Sequence, residues 1–201
     1  DTGEKQVIAQ TQRGILSIRT WSPDGKYVII SADSETIGFE QGGLWEVNVD
    51  DGNMTFLQSE LDRVLWGSAM EQFIFERSRK AGTENEITEL VVTDSITHQE
   101  HVIFTTEAAQ TILGFSLSPD GKRLAFSMGS LELPMNDFDI YILDLPSGKV
   151  NQITYGGDNK YPVWSPTNDL IAYTKKTLYR KREVYSLYLI DPSGTCNVKL
   201  F

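Results

Sequence analysis

Few side chains could act as nucleophiles, and none has the sequence context that would make it reactive. A serine hydrolase carries its serine in Gly-x-Ser-x-Gly, at a sharp turn between a strand and a helix. Residues 114–118, Gly-Phe-Ser-Leu-Ser, lack the final glycine and lie in an expected strand. Cys196 could pair only with His98 or His101, and no motif orients such a pair. We therefore predict no catalytic residues, and no enzymatic activity of this chain by itself.

Possible metal ligands also fall short of a complete set. His98 and His101 are three residues apart, with Glu100 between them, but no third ligand is obvious. The turn at 50–53, Asp-Asp-Gly-Asn, lacks the bidentate glutamate of a calcium loop, and Asx-turn hydrogen bonds explain it. No glycine-rich phosphate loop is present. The sequence therefore predicts neither a bound metal nor a cofactor.

Charge and composition exclude further classes of function. The 201 residues carry a net charge of −10, which argues against a nucleic-acid-binding protein because such proteins usually present a basic face. No apolar run approaches the roughly 20 residues of a membrane span, so we predict no membrane insertion. Cys196 is the single cysteine, so an intrachain disulfide is impossible.

The elements that carry these residues repeat along the chain. Four segments begin alike, at successive offsets of 45, 51 and 47 residues: WSPDGKYVIISA from Trp21, WGSAMEQFIFER from Trp66, LSPDGKRLAFSM from Leu117 and WSPTNDLIAYTK from Trp164. Each continues into a second apolar strand, an Asp-containing turn and a short closing strand, which are MTFLQ, EHVIF, VNQIT and NVKLF. The pattern predicts four antiparallel sheets of four strands, whose first strands begin near Leu16, Val64, Leu113 and Pro162.

The turn residues explain why the repeat recurs at these places. Ser-Pro-Asp-Gly at 22–25 and again at 118–121 places proline where its fixed φ suits a turn, followed by glycine in the left-handed conformation. Asn168 takes the glycine position in the fourth unit, and asparagine tolerates that conformation. Met70 takes it in the second, so that turn has another shape or the alignment shifts there by one residue. We expect Trp21, Trp66 and Trp164 to pack between neighbouring sheets.

The combination of Trp-Ser-Pro-Asp-Gly-Lys, Ile-Tyr-Ile-Leu-Asp and Ser-Gly-Lys resembles the TolB-like β-propeller repeat, a WD-repeat-like propeller unit; the clearest stretch is 138–174. The resemblance implies an all-β propeller of four-stranded antiparallel blades. It also favours an exported protein of the periplasm, cell envelope or extracellular space. Fold resemblance of this kind does not carry function.

The repeat boundaries define one propeller over 1–201. Its units are a closing strand alone at about 1–11, followed by 12–59, 60–107, 108–156 and 157–201. Lys5–Gln10 is therefore a closing strand in excess of four complete units, and we expect part of a larger propeller that can dimerise through its open ends. The alternative is a small ring in which Lys5–Gln10 completes the fourth blade and residues 197–201 are displaced.

Long loops between second and third strands, at 32–42, 78–86, 128–137 and 175–183, are expected on one face, where loops of a rigid scaffold bind partners. The third holds apolar side chains that contact a partner or pack on their own blade. The fourth has five basic residues and one acidic residue, which suit an acidic partner or the acidic first loop (Asp33, Glu35, Glu40) of a second copy. The predicted partner-binding residues are Phe39, Leu131, Leu133, Met135, Phe138, Tyr179, Arg180, Lys181 and Arg182.

Two functions fit these observations. The first is a non-catalytic scaffold that binds a protein or peptide through its loop face. The alternative is an accessory propeller that gates a serine peptidase whose catalytic domain lies outside this sequence. A Gly-x-Ser-x-Gly segment elsewhere in the same polypeptide would favour the second function.

Overall fold

A computed structural model describes residues 16–33, 42–58, 63–67, 72–80, 82–94, 96–97, 99–130 and 137–200. These residues form sixteen strands and contain no helix, and so no helix capable of crossing a membrane. In chain order the strands are β1 Leu16–Trp21, β2 Tyr27–Ala32, β3 Gly43–Asn48, β4 Met54–Gln58, β5 Val64–Trp66, β6 Gln72–Arg79, β7 Ile87–Asp94, β8 Glu100–Thr105, β9 Thr111–Leu117, β10 Arg123–Gly129, β11 Asp139–Asp144, β12 Lys149–Gln152, β13 Asp158–Trp164, β14 Ile171–Tyr179, β15 Arg182–Ile190 and β16 Asn197–Lys199.

Each successive set of four strands forms one sheet whose neighbours follow chain order, and neighbouring strands are antiparallel in the first, third and fourth sheets and between β5 and β6. This arrangement confirms the predicted four antiparallel sheets of four strands. The first strands begin at Leu16, Val64, Thr111 and Asp158, so the last two start two and four residues before their predicted positions. The closing strands MTFLQ and EHVIF lie in β4 and β8 as predicted.

The repeated turn is stabilised by a serine hydroxyl. Ser118 Oγ donates to Asp120 Oδ1 at 2.6 Å and accepts the backbone N–H of Arg123 at 2.9 Å. Ser22 makes the same two bonds, at the same distances, in the first sheet. Hydrogen bonding from these hydroxyls lowers the pKa of Asp24 and of Asp120. The Ser-Pro-Asp-Gly motif thus joins a turn to the strand that follows it.

Backbone dihedrals confirm the predicted turn geometry. Gly25 and Gly121 have φ of 73° and 68°, and Asn168 has φ of 65° at the equivalent place in the fourth sheet. Met70 lies outside the described residues. The turn at 50–53 has Asx bonding, because the amides of Asp50 and Asn53 donate to carboxamide or carboxylate oxygens two residues earlier.

Two compact units divide the chain: Asp1–Phe75 with Thr93–Gln99, and Glu76–Val92 with Glu100–Phe201. The core of the first contains Val28, Ile30, Ala32, Trp45 and Val47. A core cluster of the second joins the third and fourth sheets through Ala125, Ile140, Ile142, Ile153, Trp164, Ile171, Tyr173 and Ile190.

Three expectations about the repeat have different outcomes. Trp66 and Trp164 are each 6% exposed, as expected for side chains packed between sheets. Trp21 is 54% exposed, so the expectation that it packs between neighbouring sheets is wrong. The fourth sheet is completed by β16, which pairs with β15 through Ile190↔Asn197. Residues 197–199 are therefore not displaced, contrary to the small-ring alternative. Lys5–Gln10 lies outside the described residues.

Candidate binding site on the fourth sheet

The longest hairpin among the described residues is formed by β14 and β15. Its pairing runs without interruption from Ile171↔Ile190 to Tyr179↔Arg182. The prediction of a loop over 175–183 is wrong, because these residues continue the two strands up to a connection of two residues. We call residues 175–184 the basic hairpin. They hold six charged side chains, of which only Glu183 is acidic.

The tip of the basic hairpin has an unfavourable backbone for its sequence. Arg180 and Lys181 have φ of 49° and 65°, so both lie in the left-handed region. A two-residue connection of this type matches the twist of a hairpin, but it normally uses Asn-Gly because other side chains crowd the backbone. The two basic residues are therefore held in a conformation that costs an L-residue about 1–2 kcal/mol each.

Large side chains on both strands of the basic hairpin are exposed. Leu178 and Tyr179 on β14 are exposed, as are Val184 and the neighbouring Tyr185 on β15. The guanidinium carbon of Arg180 lies 5.3 Å from the centroid of the Tyr179 ring. Within the described part of the chain, Lys181 and Arg182 form no ion pair. The hairpin thus presents apolar, aromatic and cationic groups to solvent.

A charge cluster lies at the base of the basic hairpin. The buried carboxylate of Asp158 is 2.6 Å from Lys160 Nζ and 3.6 Å from Lys176 Nζ, and Lys176 also contacts Glu183 at 2.9 Å. The contact of Asp158 with Lys160 is an ion pair without hydrogen-bond alignment. Tyr185 Oη donates to Glu183 Oε2 at 3.0 Å. Two ammonium groups and two carboxylates therefore balance each other.

These contacts shift the pKa values of the partners in opposite directions. The hydrogen bond from Lys176 lowers the pKa of Glu183 and raises that of Lys176. The phenol of Tyr185 has a raised pKa because it donates to the Glu183 carboxylate. All three groups therefore stay in their usual charge states around neutral pH.

A cleft of about 280 Å³ opens beside this cluster, lined by Asp158, Lys160, Tyr161, Thr174, Lys176 and Tyr185. Tyr161 lies in a β-bulge of β13 with φ of 57°. The equivalent residue of the third sheet is Gly114, with φ of 99°, and a Cβ there would approach the Tyr161 ring to 3.2 Å. A bulky residue in the left-handed region is a true outlier. The cleft is lined by two phenol rings, one hydroxyl, two ammonium groups and one carboxylate.

The predicted partner-binding residues separate into three groups. Phe39, Leu131, Leu133 and Met135 lie outside the described residues. Phe138 is 0% exposed, with Lys160 Nζ 4.5 Å from its ring centroid, so it belongs to the core and a partner could not reach it. The remaining four, Tyr179, Arg180, Lys181 and Arg182, lie together at the hairpin tip.

Sequence reasoning missed four side chains of the cleft, namely Asp158, Lys160, Tyr161 and Tyr185, and it counted Lys176 only among the basic residues of the fourth loop. One signal was available for Tyr161, because aligning the third and fourth repeats places it opposite Gly114. Among the described residues no group of three or more His, Cys, Asp and Glu side chains could hold a metal ion.

Comparison with protein-family models finds no match, and comparison with curated proteins finds none either. Solved structures do match. An oligogalacturonate lyase from Vibrio parahaemolyticus aligns over 96% of this chain and 55% of its own, with a TM-score of 0.69 and 13% identity. The β-propeller domain of the Trilobed protease from Pyrococcus furiosus aligns over 94% of this chain and 57% of its own, with a TM-score of 0.66 and 14% identity.

An acylaminoacyl peptidase from Pyrococcus horikoshii aligns over 92% of this chain and 31% of its own, with a TM-score of 0.65 and 13% identity. The chain spans only about half of the lyase and of the protease propeller domain, and a third of this peptidase. At these identities the similarity shows the β-propeller fold.

Proposed function

We propose that this chain is a non-catalytic propeller scaffold that binds an acidic, extended segment of a protein or peptide along its basic hairpin. The observation that carries the proposal is the hairpin tip, where Arg180 and Lys181 occupy left-handed backbone positions that Asn-Gly would fill at lower cost. Strained residues of this kind cluster at ligand-binding sites, where the side chain is needed more than the stability.

The charge of the hairpin indicates the class of partner. Five basic residues and one acidic residue lie within 175–183, on a chain whose net charge is −10. A basic patch on an acidic protein attracts acidic segments and orients them as they approach. Because Lys181 and Arg182 form no ion pair among the described residues, an incoming carboxylate need not displace one.

Exposed apolar groups beside these charges supply the rest of the contact. Tyr179 and Tyr185 are rigid aromatic side chains, which lose little conformational entropy on binding. The cleft at the hairpin base adds hydrogen-bonding groups around Tyr161 and Thr174. A segment that alternates acidic and apolar residues would therefore match both the hairpin and the cleft.

An array of short immobilised peptides in acidic, basic and neutral apolar sets tests the proposal. We expect acidic peptides with apolar residues to be retained, and their binding to weaken as salt screens the charges. The variant Arg180→Glu with Lys181→Glu and Arg182→Glu should lose this retention. The control variant Lys26→Glu with Lys122→Glu and Lys149→Glu reverses three exposed lysines in or directly after turns and should keep it. Equal retention by both variants would refute the proposal.

A second candidate is the gating propeller of a serine peptidase. It is supported by the peptidases among the similar structures. This chain covers 57% of the Trilobed protease propeller domain and 31% of the acylaminoacyl peptidase. The deciding observation is the complete reading frame: a Gly-x-Ser-x-Gly segment in a following hydrolase domain would favour gating. Under both candidates we expect the purified chain to hydrolyse no peptide or ester substrate.

A further inference from the structure

The cations at the base of the basic hairpin already have partners within the chain. Lys176 Nζ contacts the carboxylates of Asp158 and Glu183, at 3.6 and 2.9 Å. Lys175 Nζ donates to the carbonyl oxygen of Gly156 at 3.2 Å. Two of the five positive charges of the hairpin are therefore engaged before any ligand arrives.

The three cations at the tip have no such partners. Arg180, Lys181 and Arg182 are exposed, and none of them forms an ion pair or a side-chain hydrogen bond with another described residue. Glu183 follows Arg182 on β15, but side chains alternate between the two faces of a strand, and its carboxylate bonds Lys176 instead. The free positive charge of the hairpin is thus confined to its tip.

This charge is concentrated over a short distance. Because the three residues are consecutive, their Cα atoms span at most about 7.6 Å. An extended segment places the carboxylates of one of its faces about 7 Å apart, so it brings one or two single charges to the tip. A phosphate monoester carries a charge of about −1.5 to −2 and three acceptor oxygens on one group. The tip therefore matches a phosphoryl group better than a row of carboxylates.

Arginine at both ends of the triplet supplies suitable donors. A guanidinium is planar, and its N–H groups form a fork that binds two oxygens of a phosphate. The guanidinium carbon of Arg180 lies 5.3 Å from the centroid of the Tyr179 ring, within the range of a cation–π contact. This contact restricts the side chain of Arg180, so less conformational entropy is lost when it binds.

We propose that the basic hairpin recognises a phosphorylated side chain, with Arg180, Lys181 and Arg182 around the phosphoryl group. The inference rests on the proposed function and specifies it: the acidic segment carries a phosphoserine, phosphothreonine or phosphotyrosine. Binding is noncovalent. The exposed side chains of Leu178 and Tyr179 contact the apolar residues that flank the phosphorylated one.

A short labelled peptide of alternating acidic and apolar residues tests the proposal, made with serine, glutamate or phosphoserine at its centre. Fluorescence anisotropy measures the Kd of each form. The phosphoserine form should bind at least about 10-fold more tightly than the glutamate form, since it brings nearly twice the charge to the same cations. This preference should shrink as the pH falls through about 6, the second pKa of the phosphate. The affinity of the glutamate form should stay constant there, because the ordinary pKa of glutamate is about 4.3.

Two variants make the test specific for the tip. Arg180→Lys with Arg182→Lys keeps the charge but removes both guanidinium forks, so it should lose most of the phosphoserine preference and still bind the glutamate form. Both arginines are exposed, so the fold should survive. The control variant Lys26→Glu with Lys122→Glu and Lys149→Glu should keep the full preference.

The outcomes separate this inference from the proposed function. Equal affinity for the glutamate and phosphoserine forms would overturn the inference and leave the proposed function standing. A full preference in the Arg180→Lys/Arg182→Lys variant would also overturn it, because the phosphoryl group would then bind elsewhere. If the original chain binds neither form, both proposals fail. Retention by vesicles that contain phosphatidic acid, without binding of the phosphoserine peptide, would place the phosphoryl group on a lipid and contradict the inference.

Discussion

Replacing the hairpin tip by Asn-Gly, as Arg180→Asn with Lys181→Gly, should stabilise the protein. The left-handed backbone at Arg180 and Lys181 costs each L-residue about 1–2 kcal/mol. Glycine removes this cost at 181 but loses about 0.5–1 kcal/mol through its freedom in the unfolded chain. Asparagine removes part of the backbone cost at 180, but the loss of the exposed cation–π contact between Arg180 and Tyr179 costs about 0.5 kcal/mol. The net gain should be about 1 kcal/mol.

Urea unfolding measures this gain as an increase in the midpoint of about 0.3–1 M, for a denaturant slope of about 1–3 kcal/mol/M. The matched control is Arg180→Ala with Lys181→Ala, which removes the same charges but keeps each Cβ and therefore the backbone cost. We expect no stabilisation from this control. If the Asn-Gly variant is no more stable than the Ala-Ala variant, the tip is not strained and the main support for the proposed function is lost.

Further predictions concern the stability of the repeated turns and the effect of a chelator on the melting temperature. Ser118→Ala should lower the free energy of unfolding by about 2 kcal/mol, since it removes two hydrogen bonds of a buried hydroxyl. Ser165→Ala should lower it by less, because the hydrogen bond from the Leu170 amide to Ser165 is longer, at 3.2 Å. Urea unfolding of both variants measures the difference. Hydroxyl hydrogen bonds lower the pKa of the turn carboxylates in the folded state. The free energy of unfolding should therefore be constant around neutral pH and fall as the pH drops below about 4, the ordinary pKa of aspartate. Asp120→Asn should make this decline shallower when the free energy of unfolding is measured against pH. A chelator should leave the melting temperature unchanged, and a drop of several degrees would reveal a metal site.

Sequence reasoning succeeds where structure depends on neighbours along the chain. Pro and Gly in the turns at 22–25 and 118–121 fix local dihedrals, and β-branched or aromatic runs favour the strands between them. The positions of β4 and β8 follow from these preferences. The second serine bond of each turn reaches five residues onward to a strand amide, which the turn signature alone does not specify.

It fails where the structure depends on other sheets or on strain. The connection at Arg180 and Lys181 contains neither asparagine nor glycine, so nothing marks a two-residue turn there, and a loop is the natural expectation. The burial of Phe138 and the exposure of Trp21 both depend on which sheet lies alongside. Tyr161 is visible only when repeats are compared position by position.

The central claim is that the basic hairpin is the binding surface, and hydrogen exchange tests it most directly. Amide exchange should be measured with and without the acidic peptide that binds most strongly on the array. We predict slower exchange in residues 175–185 and at the cleft strand β13, with no such change in the Arg180→Glu/Lys181→Glu/Arg182→Glu variant. Protection confined to other sheets, while residues 175–185 exchange unchanged with the peptide bound, would contradict the account.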